Sequence, residues 1–166
     1  IDFFAAATGP IVIAMLIARK VHAEEPAAFN ANEFSLSLYG TGAIATDARE
    51  KEAISVGTGI GADYFLTKGF GIGARAELSD FSHSVIDRTS GRLTARAPLW
   101  DAVAPYGYVD GGFDFERDRW LAGTGGGIEA RFNKHVGAFA ELGLEVNTRG
   151  KATGRTAVGL RLPLGK

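Results

Sequence analysis

Val136-Gly137-Ala138-Phe139-Ala140-Glu141-Leu142-Gly143-Leu144-Glu145-Val146 decides how this chain folds. Val136, Ala138, Ala140, Leu142, Leu144 and Val146 share one parity, while Gly137, Phe139, Glu141, Gly143 and Glu145 share the other. Successive side chains of a strand point to opposite faces, so this alternation makes a strand with one apolar and one mixed face. A helix would turn Leu142 and Leu144 to nearly opposite sides and break up the apolar set.

The same period of two recurs outward from this stretch. On the N-terminal side stand Trp120, Ala122, Ile128, Ala130 and Phe132, then Val103, Val109, Phe113 and Phe115, then Leu93, Ala95, Ala97 and Leu99. Further back come Phe70, Ile72, Ala74, Ala76 and Leu78, then Ile54, Val56, Ile60, Ala62, Tyr64 and Leu66, then Phe34, Leu36, Leu38, Gly42 and Ile44. On the C-terminal side are Thr156, Val158, Leu160, Leu162 and Leu164. Thr67-Lys68-Gly69 and Asn133-Lys134-His135 read as tight turns, whereas Asp47–Glu52, Asp80–Gly91, Glu116–Arg119 and Asn147–Lys151 read as more polar, mostly longer connections. Short turns at one end and longer loops at the other predict an all-β fold, an eight-stranded antiparallel up-and-down β-barrel over residues 34–164. The 23 glycines against 5 prolines support a curved, closed sheet, because the glycines sit inside the alternating segments.

Residues 1–23 are different. No charge interrupts Phe3 to Ala18, and Arg19-Lys20, Val21-His22-Ala23 and Glu24-Glu25-Pro26 follow. Three readings stand side by side: an export signal cleaved after Ala23, a retained apolar anchor or docking helix, and a core helix. Residues 24–33 read as a linker.

The mixed parity carries the functional argument. It holds glycines in series (Gly57, Gly59, Gly61; Gly123, Gly125, Gly127) and charges of both signs. A solvated face gains nothing from serial glycine, whereas a narrow lumen needs small residues beside large ones. The cations on this parity are arginines, whose planar heads can hold carboxylates bidentately. The expected lumen ion network is Arg75, Glu77, Arg92, Arg96, Asp110, Glu129, Arg131, Glu141, Glu145, Arg155 and Arg161. Ile54, Val56, Ile60, Ile72, Ile128, Leu142, Leu144, Leu160 and Leu162 are then lipid-facing. Phe34, Tyr64, Phe65, Phe70, Phe81, Trp100, Phe115, Trp120 and Phe132 suit aromatic girdles at the two interfaces. A soluble barrel binding a small apolar ligand, with the apolar face inward, is the inverse arrangement of the same pattern.

Three stretches carry a family resemblance. Ala104-Pro105-Tyr106-Gly107-Tyr108-Val109-Asp110-Gly111-Gly112-Phe113-Asp114-Phe115 resembles the fifth strand of the small outer-membrane barrels of the OmpA/OmpX type. Gly125-Gly126-Gly127-Ile128-Glu129-Ala130-Arg131-Phe132, with Val136 to Glu141 after the turn, resembles their next hairpin. Gly159, Leu162 and Leu164 match the spacing of the family's closing strand; Leu164 stands where an aromatic is usual, and Gly165-Lys166 follow. The resemblance implies a bacterial outer-membrane location, with the lipid bilayer and the barrel-assembly machinery as partners. It also implies a structural or partner-docking role, with a protein contacted through the N-terminal segment or the loops.

Chemistry-bearing motifs are sparse. There is no cysteine. His22, His83 and His135 lack a second histidine at ligand spacing, so no metal site is expected. Ser82-His83-Ser84 beside Asp80 is the one group that could serve a lipid hydrolase on the rim. Gly123–Gly127 lacks the Lys-Ser/Thr of a phosphate loop. With net charge −1 the chain has no general pull toward nucleic acid. The expectation is therefore a non-enzymatic barrel with no catalytic residues, no metal and no cofactor. Two measurements follow. N-terminal sequencing of the native protein gives Glu24 if the first segment is an export signal, and a start upstream of Phe3 if it is a retained helix. Label access at Arg88 in intact cells places the longer loops outside.

Overall fold

The computed structural model describes residues 29–45, 54–78, 86–99 and 102–164. Eight strands account for most of them: β1 (Glu33–Ala45), β2 (Ile54–Phe65), β3 (Phe70–Leu78), β4 (Arg88–Arg96), β5 (Val103–Asp114), β6 (Arg119–Arg131), β7 (Gly137–Asn147) and β8 (Ala152–Pro163). Each pairs antiparallel with its sequence neighbours, and β1 pairs with β8 to close the barrel. Closure removes the unpaired sheet edges that an open sheet would leave. Segment 1–23, with its three readings, lies outside the described residues, as do Asp47, Asp80, Phe81, His83 and Trp100.

Strand lengths run from 9 residues in β3 to 13 in β1 and β6. A strand tilted about 45° needs roughly 9–11 residues to cross a hydrocarbon core. The cross-strand register keeps one parity on one side around the barrel: Tyr39, Gly59, Glu77, Arg88, Asp114 and Arg119 follow one another as partners. That parity is the inside.

The interior is fitted by placing large rings over bare backbone. Tyr39 lies across Gly59, where an added Cβ would come within 2.5 Å of its ring. Tyr106 likewise covers Gly127, and Tyr108 covers Gly125. At Gly59 only the tyrosine would have to move, whereas at Gly125 and Gly127 the carbonyls of Leu142 and Ala140 also stand in the way.

Several boundaries differ from the sequence expectation. β1 starts at Glu33, inside the stretch read as linker. β4 spans Arg88–Arg96 rather than Leu93–Leu99, so Arg88 is a buried strand residue and not a loop probe. The reason is local. Arg88-Thr89-Ser90-Gly91-Arg92 has no large apolar residue on its outward parity, so the alternation is silent there. At the other end Pro98, which has no N–H to donate, lies just past the strand. The connections Phe115–Asp118 and Thr148–Lys151 are themselves tight turns, with left-handed residues at Asp118 (φ 47°) and Gly150 (φ 74°). The length asymmetry between the two ends therefore resides in the β1–β4 half of the barrel.

Gly59→Ala is expected to destabilise the barrel by about 1–3 kcal/mol through overpacking against Tyr39. Adding Tyr39→Leu should recover part of that loss. Urea unfolding of the protein refolded into lipid vesicles measures both.

A paired-charge lumen and an uncharged exterior

The inward residues form three layers along the barrel. At the end formed by the β2–β3 and β6–β7 turns, Glu33 receives both guanidinium nitrogens of Arg131, at 2.7 and 2.5 Å, and Arg96 Nη1 at 3.1 Å. Glu129 holds Arg131 Nε at 3.0 Å and Arg161 Nη1 at 2.6 Å. Arg161 Nη2 also reaches Asp63 at 3.3 Å. In the middle, Glu141 takes Arg75 through two bonds of 3.1 and 2.8 Å and Arg92 through one of 2.7 Å. The Tyr106 hydroxyl donates to the same carboxylate at 2.8 Å. Arg92 bridges on to Asp110 at 3.0 Å. Toward the other end, Arg88 pairs with Glu145, and Arg155 with Glu77 and Glu145. The Tyr39 hydroxyl donates to Glu77 at 3.1 Å, and Arg119 meets Asp114 at 3.1 Å.

Ring faces complete the packing. The Arg96 guanidinium sits 3.5 Å from the Phe65 ring centroid, Arg92 3.6 Å from Tyr108, and Arg75 5.0 Å from Tyr39. A desolvated cation over an aromatic face gains electrostatic stabilisation beyond its ion pair.

The residues expected for the ion network from Arg75 to Arg161 all lie on the inward parity, and each is joined to a neighbour of opposite charge. Five members lie outside the expected set: Glu33, Asp63, Arg88, Asp114 and Arg119. Parity reaches Asp63, which continues Gly59 and Gly61, and Asp114, which continues Tyr108 and Asp110, whereas Glu33 and Arg88 lie where the alternation gives no signal. Phe65, expected in a girdle, belongs to this inward series as well; it is fully buried and stacks on Arg96. A strand residue cannot serve the interface when its parity aims it inward.

The exterior is the complement. Among the described residues no Asp, Glu, Lys or Arg stands on the outward parity of any strand. Ile54, Val56, Ile60, Ile72, Leu142, Leu144, Leu160 and Leu162 are exposed there, from 42% for Leu162 to 71% for Ile54, while Ile128 is half-buried. Outward threonines return their hydroxyls to neighbouring backbone: Thr58 donates to Tyr39 O and Thr124 to Tyr108 O, each at 3.0 Å. Phe34, Tyr64 and Phe70 are exposed near the turn end. At the opposite end Phe115 and Trp120 are exposed around Phe113, edge-on to it at 5.3 and 5.2 Å between centroids. Phe132 lies half-buried past the end of β6. A soluble barrel has the reverse distribution.

For chemistry, the described residues offer little. No group of three His, Asp or Glu side chains among them is arranged to hold a metal ion. His135 stands exposed in a turn, and His83 with its serines lies outside the described residues.

This geometry is that of an eight-stranded membrane β-barrel. Solved structures of small outer-membrane barrels share the fold. Ail, the attachment invasion locus protein of Yersinia pestis, has a TM-score of 0.54 at 14% identity, covering 81% of this chain and 99% of its own. The outer membrane protein OprG from Pseudomonas aeruginosa has a TM-score of 0.55 at 10% identity, over 86% and 100%. The N-terminal β-barrel domain of Pseudomonas aeruginosa OprF has a TM-score of 0.53 at 16% identity, over 80% and 99%. No protein-family model and no curated protein matches the sequence.

Glu141→Ala should leave Arg75 and Arg92 short of a counter-ion in the middle of the lumen and cost about 3–5 kcal/mol of stability. In the double variant with Arg75→Met the loss should be smaller than the sum of the two single losses. Equilibrium unfolding in vesicles gives all three values.

Proposed function

We propose that this chain is a non-enzymatic outer-membrane scaffold whose lumen is a closed structural network and whose loop-end rim is the surface offered to partners. The observation that carries it is the distribution of charge: paired ions inside, none on the outward parity of the strands. Water would solvate charges placed outside, so only hydrocarbon explains their exclusion from that face. Eight-stranded barrels have interiors that side chains can fill, and here arginine, glutamate and tyrosine fill it, which argues against an open diffusion pore.

In this reading the shorter β2–β3 and β6–β7 turns face the periplasm, and the β5–β6 and β7–β8 turns face outward with segments 46–53 and 79–85. The closing strand with Leu160, Leu162 and Leu164 is what the barrel-assembly machinery engages. The lumen ions serve stability rather than acid–base chemistry, because each inward carboxylate of the middle layer is taken up by arginine. The name of Ail speaks of attachment; a contact role for this chain would fall to the same loop-end rim. A lipid hydrolase on the rim would rest on Asp80, Ser82 and His83, and no described residue favours it.

Leu142→Arg tests the reading. This residue is 55% exposed on the outward face of β7. An arginine there should cost about 2–4 kcal/mol of membrane stability near mid-bilayer. The unaltered protein should fractionate with outer membranes and migrate faster on gels before heating than after. The variant should lose the fast-migrating form. Recovery of the unaltered protein in the soluble fraction, or a Leu142→Arg barrel that inserts normally, would overturn the proposal. A thiol label on Arg149→Cys, an exposed turn residue, should react in intact cells; reaction only after permeabilisation would reverse the sidedness.

A further inference from the structure

The residues just before β1 do not leave the barrel freely. Phe29 is buried to 3% exposure, with its ring centroid 4.1 Å from the Arg131 guanidinium and 4.8 Å from that of Arg96. The Asn30 carbonyl accepts from Arg96 Nη2 at 3.2 Å, and the Asn30 N–H donates to Glu33 at 3.3 Å. Asn32 adopts a left-handed conformation, φ 56°, which turns the chain sharply into β1. Its side-chain oxygen accepts the Tyr64 hydroxyl at 3.2 Å. Arg96 Nε is also bonded to the Lys68 carbonyl at 2.7 Å, so the same guanidinium ties this segment to the β2–β3 turn.

The sequence gives no reason for an aromatic at position 29 to be buried in a stretch that reads as linker. Among the described residues two guanidiniums, both bonded to Glu33, present flat cationic faces at the barrel mouth, and the ring covers both. We propose that Phe29–Asn32 is a lid that closes the turn-side mouth of the lumen, held by the Phe29 ring on Arg96 and Arg131. Ring stacking, the Asn30 backbone hydrogen bonds and the Tyr64–Asn32 side-chain bond hold it, and none of its four residues carries a charge. Such a fastening opens without unpairing Glu33 from its two arginines. The lid is therefore a local opening unit, separable from the barrel wall. Its opening exposes the first lumen layer to the turn side while the middle layer at Glu141 stays closed.

Access to Ser35 measures it. Ser35 is fully buried and donates at 3.2 Å to Glu33, the carboxylate that also holds the Asn30 N–H, and the chain contains no cysteine, so a single Ser35→Cys reports alone. Thr153, on the inward parity at the opposite end, serves as control. In the full chain refolded into vesicles, a small charged thiol reagent should label Ser35→Cys much more slowly than Thr153→Cys. Phe29→Ala and Phe29→Leu should each raise the Ser35→Cys rate by about tenfold or more, since both remove the ring face. Phe29→Tyr should leave it slow, and Thr153→Cys should not change in any of these. Gel mobility before heating confirms that each barrel is folded; if Phe29→Ala does not fold, Phe29→Leu decides alone. Ser35→Cys labelling as fast as Thr153→Cys in the unaltered background would overturn the lid. So would an unchanged rate in a folded Phe29→Leu barrel.

Discussion

Pairing of buried charge is the interaction on which the rest depends. Arg75, Arg88, Arg92, Arg96, Arg119, Arg131, Arg155 and Arg161 face Glu33, Asp63, Glu77, Asp110, Asp114, Glu129, Glu141 and Glu145 across one narrow lumen. In a low-dielectric enclosure an unpaired ion is costly, and two ions that meet with poor geometry recover little of their desolvation. The guanidinium solves the geometric part. Its fork reaches two carboxylate oxygens at once, as Arg75 does on Glu141, or two acids, as Arg161 does on Glu129 and Asp63. Lysine, a point charge on a flexible stem, would leave lone pairs unmet.

That requirement dictates the wall. Long arginines and tyrosines need the space that glycine on the adjacent strand provides, as Gly59 does for Tyr39 and Gly127 for Tyr106, and glycine gathers on the inward parity of β2 and β6. The exterior follows from the same constraint in reverse, since a charge turned outward would lose its partner and its solvent together. What remains outside is apolar, aromatic near the ends, or threonine that satisfies its hydroxyl on the adjacent strand. One row across the outside is nearly bare: Ala62, Ala74, Gly91, Gly111 and Ala122 are successive cross-strand partners. Larger residues such as Ile72, Leu93, Phe113 and Trp120 flank it.

A network of this kind suits a scaffold. Each acid of the middle layer is already bound, most fully Glu141, which serves two arginines and a tyrosine.

The strand alternation in Val136–Val146 and its seven counterparts made the barrel legible from the sequence, because a period of two with one apolar face has few solutions. Most of the inward arginines and acids, from Arg75 to Arg161, were legible from parity alone. Pairing was not: Glu141 meets Arg75 and Arg92 from β3 and β4, on the far side of the lumen from its own hairpin, and only closure of β1 on β8 brings them together. Glu33 escaped because two residues before Ser35 is too little pattern to extend a strand, and Arg88 because Thr89 and Gly91 give no apolar signal outward. Phe65 looked like an interface aromatic until its inward parity was set by register. Phe29 could not be read at all, since the guanidiniums that bury it come from β4 and β6. Alternation along one strand is local physics and lies in the sequence; which charges meet, and what the mouth encloses, depends on how eight strands close.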